Sequence, residues 1–202
     1  MPLTTLTKVN VANMALGILE EAPIAALTDN KRSARLANLH FDITVEQELQ
    51  ANVWKFAIKS TSLTGTDTGS IAGSLNWEYD LPADFVRMLP LGYDETHNAT
   101  PVSWELRDGK LYSDQDSPRT FRYIYNVTDP QDWDALFVDV VTAALAVKLA
   151  WPLTHKQSAV QLATAAYDRA VEKAQTFNAV QRAGTLNANS WAIARGDYRW
   201  RV

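Results

Sequence analysis

Asp80 and Asp84 flank Pro82, a spacing that in a tight turn could set two carboxylates side by side for general acid–base work. The alternative is structural: Leu81-Pro82-Ala83-Asp84 is a turn feeding a strand, with Asp84 ordering backbone N–H groups. That alternative fits better, because no histidine or nucleophile accompanies the pair. The three histidines, His40, His97 and His155, are scattered along the chain. His40 with Asp42 and Glu46 is the best metal or acid–base group, yet on a helix positions 40 and 42 point about 200° apart and cannot grip one ion. Cysteine is absent, which excludes disulfides and thiolate metal sites. Gly65, Gly69 and Gly73 recur among Ser, Thr and Asp. A phosphate cradle, however, needs a Gly-Lys-Ser/Thr ending or a flanking strand and helix, and neither is visible. Arg195-Gly196-Asp197 is an adhesion tripeptide only in the sense that three residues recur by chance. The expectation is therefore no catalytic residue, no metal and no cofactor.

The elements that would position these residues centre on Trp133 to Trp151, WDALFVDVVTAALAVKLAW. Between Ala135 and Ala150 only Asp139, Thr142 and Lys148 are not apolar, too little polarity for a surface helix. Asp129-Pro130 supplies a start signal and Pro152 a stop. A membrane span is disfavoured by the interior charges Asp139 and Lys148. The strip Asp139, Thr142, Ala146 is expected to face polar groups or a neighbouring subunit.

Thr7 to Leu19 reads as a short amphipathic helix capped by Thr7. From Lys31, a stripe of Ala34, Ala37, Phe41, Val45, Leu49, Val53 and Phe56 predicts a long helix, its solvated face carrying Arg32, Arg35, Asp42, Glu46 and Gln50. After Ala57 the pattern dissolves, and residues 60–75 are read as a flexible loop, a projecting arm. Residues 76–128 change period. Phe85 to Leu91 and the alternating Val102, Trp104, Leu106 precede Asp108-Gly109, a hairpin signal, and Arg119 to Val127 alternates with Phe121, Tyr123, Tyr125 and Val127 on one face. A small antiparallel sheet is expected there, and it is the expected place for an intersubunit contact. Thr154-His155-Lys156-Gln157 has the form of a capping box opening a last helix. That helix would pack Val160, Ala163, Tyr167, Ala170, Val171, Ala174 and Phe177 against the central one as an antiparallel hairpin.

The fold expected is mainly α with an inserted small antiparallel β lobe (α+β): a four-helix bundle core from residues 4–57 and 130–182, and an extended C-terminal tail, 183–202, all in one domain spanning residues 1–202. The 47% hydrophobic and 21% charged composition is that of a soluble globular chain, and a net charge of −4 argues against general nucleic-acid binding. From Arg182 onward four arginines face one aspartate, a local charge of +3 that leaves −7 on the rest. Trp191, Tyr198 and Trp200 lie among Arg195, Arg199 and Arg201, the residue types that dominate interface hot spots. Docking into an acidic groove of another protein is the reading this composition favours.

In their order, several pieces resemble the head-to-tail adaptor (connector) proteins of tailed bacteriophages, particularly the tail tubular protein A type. They are Asn13, Ala15, Leu16 and Gly17; Asn52-Val53-Trp54-Lys55-Phe56-Ala57; and Asn76-Trp77-Glu78-Tyr79-Asp80-Leu81-Pro82-Ala83-Asp84-Phe85-Val86-Arg87. Tyr123-Ile124-Tyr125 with Asp129, and Leu145-Ala146-Val147-Lys148-Leu149-Ala150, complete the series. The resemblance implies a non-enzymatic protein made in the bacterial host cytoplasm and placed in the virion at the head–tail junction. There it would form a homo-oligomeric ring, a dodecamer, between the portal protein and a downstream tail (nozzle or tail-completion) protein. Double-stranded DNA would pass through the ring's channel without specific binding, and no membrane is involved; an acidic body suits such a wall. It further implies a portal-docking tail of Trp191, Arg195, Tyr198, Arg199, Trp200, Arg201 and Val202. Leu63, Gly65, Asp67, Gly69 and Gly73 would form an intersubunit or tail-facing loop. The chain is short for the tail tubular type, which leaves long-tailed particles and gene-transfer agents open. The competing readings are a small helical enzyme with a carboxylate site at Asp80 and Asp84, and a nucleic-acid-binding module using the basic aromatic tail.

Overall fold

The computed structural model describes residues 6–72, 75–89, 103–114 and 116–182. In these, helices α1 (Lys8–Ile18) and α2 (Arg32–Ala51) come first, followed by strands β1 (Ile58–Leu63), β2 (Gly65–Ala72), β3 (Leu75–Asp80), β4 (Phe85–Met88), β5 (Trp104–Arg107), β6 (Lys110–Ser113) and β7 (Arg119–Tyr125). Helices α3 (Ala135–Thr154) and α4 (Gln157–Arg182) close the described chain. The strands make two antiparallel sheets, β1-β7-β4 and β2-β3-β6-β5.

The fold is α+β with the four helices expected, but the expected four-helix bundle core is not formed. In a bundle the four helices surround a core of side chains. Here α3 itself takes that central place: Phe137, Val140, Val141, Leu145, Ala146 and Leu149 are wholly or almost wholly buried, and α1, α2 and α4 pack around it. The sheet completes the same core, since Ile124 of β7, Leu89 and Val127 join it. Rings of Trp54, Phe56 and Trp133 lie about Phe137 at centroid distances of 4.8, 5.1 and 5.1 Å. Much of the aromatic excess is thus core material. By length and composition α3 could cross a membrane, but most of its surface is covered by the rest of this chain.

Several boundaries differ from expectation for local reasons. α2 stops at Ala51 rather than running to Ala57, because its last carbonyls are taken from outside the helix. Trp54 Nε1–H donates to the Glu48 carbonyl at 2.9 Å, and Arg87 Nη1 donates to that of Gln50 at 2.7 Å. Asp129-Pro130 caps a single 3-10 turn, with Asp129 accepting from Gln131 N–H, and α3 starts only at Ala135. Pro152 lies inside the last turn of α3, where it removes one ladder bond. The stop is instead His155, in the left-handed region at φ 52°, and Thr154 ends α3 rather than boxing the start of α4. Phe177 is 51% exposed, unlike Ala163 and Ala174 on its stripe.

The larger correction concerns residues 60–75, which through Ala72 are strand and not loop. β1 pairs with β7 from Ile58↔Ile124 to Leu63↔Arg119, and β2 pairs with β3. The expected single small sheet of residues 76–128 is therefore two sheets beginning at Ile58. Their facing sides enclose a second apolar cluster of Tyr79, Met88, Leu111, Phe121 and Tyr123. β7 is buried on both faces near its end, with Tyr123 toward this cluster and Ile124 toward the helices. Asp108-Gly109 does form the β5–β6 hairpin, both residues at positive φ.

Candidate functional site

The sequence-selected acids do not converge. Asp80 is exposed and lies 3.5 Å from Lys110. Asp84, in the turn between β3 and β4, accepts from Lys59 Nζ at 2.6 Å and from Tyr123 O–H at 3.0 Å. It ties side chains of β1 and β7 to that turn, and a backbone hydrogen bond at Asp84 itself adds to these. The Lys59 hydrogen bond in the first place, and that from Tyr123, hold the Asp84 carboxyl below its ordinary range against an opposing effect of burial. Lys59 also sits 3.8 Å from the Tyr125 ring centre. On the other sheet Lys110 pairs with Glu78, which also accepts from Tyr112. Asp80 and Asp84 are thus held by different lysines, Lys110 serving Glu78 as well as Asp80.

His40 is half-buried on α2, whereas Asp42 is exposed and paired with Lys8 at 2.6 Å. His155 caps α3, and His97 lies outside the described residues. Among the described residues no group of three or more His, Cys, Asp or Glu is placed to hold a metal. Of the arm residues, Leu63 ends β1 and Gly65, Asp67 and Gly69 belong to β2. Gly65 lies so close to Tyr79 that a Cβ there would meet its ring at 2.6 Å, and Gly69, at φ +61°, sits where the β2–β3 register shifts. Gly73 and the whole tail, Trp191, Arg195, Tyr198, Arg199, Trp200, Arg201 and Val202, lie outside the described residues. On α3, Asp139 is exposed toward Lys173 of α4 at 3.6 Å, but Thr142 and Ala146 are core, so the expected polar strip is a single residue wide. The Thr142 hydroxyl is buried and finds no hydrogen-bond partner among the described residues.

Two features escaped the sequence. The first is Glu48, 6% exposed on the apolar face of α2, whose carboxylate accepts from the Tyr167 hydroxyl of α4 at 3.1 Å to Oε1 and 3.4 Å to Oε2. Burial raises its pKa, countered by the Tyr167 hydrogen bond and the nearby Lys148 charge. Tyr167 is pushed up to about 12, by burial first and then by Glu48, while burial pulls Lys148 down. A raised carboxylate pKa is what a general acid needs. The arrangement ties α2 to α4 across α3. The signal was present: position 48 follows Phe41 and Val45 on the buried stripe.

The second is a groove of about 820 Å³ between the start of α3 and the second half of α4. Trp54, Leu136 and Phe177 supply apolar walls, and Asp134, Arg169, Glu172 and Lys173 supply charge. Its single hydroxyl side chain, Thr176, is occupied in donating to the Glu172 carbonyl. Its lining offers apolar area and four charged groups. Compared with family models and with curated proteins, the sequence finds no significant match.

Proposed function

We propose that the chain is a structural head-to-tail adaptor of a tailed bacteriophage, a ring-forming subunit below the portal that joins capsid to tail and lines part of the DNA channel. The observation that carries this reading is where the adaptor-like residues lie: they hold elements together instead of surrounding a reaction space. Asn13 clamps the chain after α1 by exchanging hydrogen bonds with both N–H and C=O of Ile24, each at 2.9 Å. Trp54 closes α2 and packs on Phe137, and Asp84 locks the β3–β4 turn to β1 and β7. A subunit that must transmit load between two machines needs such joints more than it needs a pocket.

Exposed Leu39 and Ile43, one turn apart on α2, add apolar surface for a neighbouring subunit. Native mass spectrometry of the full chain with a purified portal is expected to give a ring, or a ring that forms only on the portal. A chain that stays monomeric and ignores the portal would overturn the proposal. Activity lost in an Asp80→Asn, Asp84→Asn variant that still assembles would favour the enzyme alternative instead.

A further inference from the structure

We infer that the groove between α3 and α4 is the docking site of this chain's own C-terminal segment, residues 183–202, with Trp191 as the anchoring side chain. The groove is open, largely apolar and walled by Trp54, Leu136 and Phe177. Phe177 stands 51% exposed at the end of a stripe whose other members are buried or half-buried, and the described residues leave its ring uncovered.

Chain length puts the segment within reach. α4 ends at Arg182, five residues beyond Phe177, and at 1.5 Å per residue the whole groove lies within about 20 Å of that end. Trp191 follows nine residues later, and nine residues extend to about 30 Å. A reversal of the chain after α4 therefore brings an indole over the groove with slack to spare.

Charge agrees. Lys173 is engaged by Asp139 at 3.6 Å, whereas Asp134, Glu172 and Arg169 have no ion-pair partner among the described residues. The lining itself balances two acids against two bases, and Asp139 at its edge brings the surroundings to one excess negative charge. The segment offers Arg195, Arg199 and Arg201 against the lone Asp197. Docking would keep its tryptophans out of water until a partner with a better groove takes them. The inference does not depend on the adaptor reading, and its test needs no portal.

The chain contains no cysteine, so a single introduced pair reports on proximity. In the full-length protein carrying Thr176→Cys and Ala192→Cys, mild oxidation is expected to give a disulfide within one chain, located by peptide mass spectrometry. Replacing Trp191, Tyr198 and Trp200 by Ser keeps the tether but removes the anchors, and should slow that step at least about tenfold, to the rate set by effective concentration alone. Phe177→Ser, at a half-exposed position, should slow it similarly from the groove side. An unchanged rate in the anchor variant overturns the inference. So does a loss caused by the tail substitutions but not by Phe177→Ser, which would seat the anchors elsewhere. Disulfides formed mainly between two chains would assign the groove to a second copy and overturn it as well.

Discussion

Glu48→Gln should remove the part of the protein's stability that falls as pH rises, and leave it no less stable at neutral pH. Glu48 is buried beneath Tyr167, and its carboxyl pKa is raised in the folded state above the ordinary value of 4.5, chiefly by burial. A folded state that binds the proton more tightly than the unfolded one loses stability as pH rises through the interval between the two values. Inside that interval the slope approaches about 1.4 kcal/mol per pH unit, and above it the whole penalty is in force. Glutamine keeps an oxygen that accepts from the Tyr167 hydroxyl and has no proton to lose. The stability of the variant minus that of the natural protein should therefore rise from the acid side and reach a plateau toward neutrality.

Urea unfolding followed by tryptophan fluorescence between about pH 4 and pH 8 measures this difference directly. Asp84 and Glu78, whose pKa values are lowered by their lysine partners, act in the opposite direction, but equally in both proteins, and cancel. Tyr167→Phe supplies the cross-check. It leaves a buried carboxylate without its donor and should cost about 1–3 kcal/mol at neutral pH, but clearly less in the Glu48→Gln background. A difference curve that is flat, or that falls with pH, would refute the account of the tie between α2 and α4.

Gly65→Ala should destabilise by about 1–3 kcal/mol in chemical denaturation, since the added methyl meets the ring of fully buried Tyr79 at 2.6 Å. Thr142→Val should stabilise by about 1 kcal/mol with an unchanged denaturant slope, because it removes a buried hydroxyl that has no partner among the described residues and keeps the shape. Asp84→Asn should cost about 1 kcal/mol at neutral pH and flatten the acid limb of a titration followed by circular dichroism. Its stabilising effect, carried by Lys59 first and then Tyr123, is present above the ordinary value of 3.8 and lost as pH falls through the lowered one.

Where a single helix faced a single core, the sequence was readable. The buried faces of α1 and α2 were legible from spacing, and so was the cap at Thr7, whose hydroxyl accepts from Asn10 N–H. The buried alternation of β7 was legible too, except that Ile124 proved buried on the opposite face because the strand lies between two cores. Strands β1 and β2 were missed because glycine, serine and threonine read as loop. Their glycines are placed for a ring to approach and for a bulge, demands that come from β3 and not from their own segment. Helix ends failed for the same kind of reason. The end of α2 is set by Trp54 and by Arg87, the latter 37 residues away from the carbonyl it binds.

The same distinction separates the two kinds of candidate site. Of the residues chosen for reactive type, Asp80 and Asp84 turned out to be engaged separately, each with a lysine from another strand, since a charged group near other elements finds the nearest counter-charge. Lys59 meets Asp84 across 25 residues and Tyr167 meets Glu48 across 119. Capacity left over after those joints is what a partner can use, and it concentrates along the second half of α4. Ala163 and Ala174 are buried in the main core, but Phe177, on the same stripe, is 51% exposed and lines the groove beside Ala135 and Leu136 at the start of α3. The unpaired apolar and charged side chains that remain lie together at the α3–α4 groove, which is why the docking proposal is placed there and not at the acids.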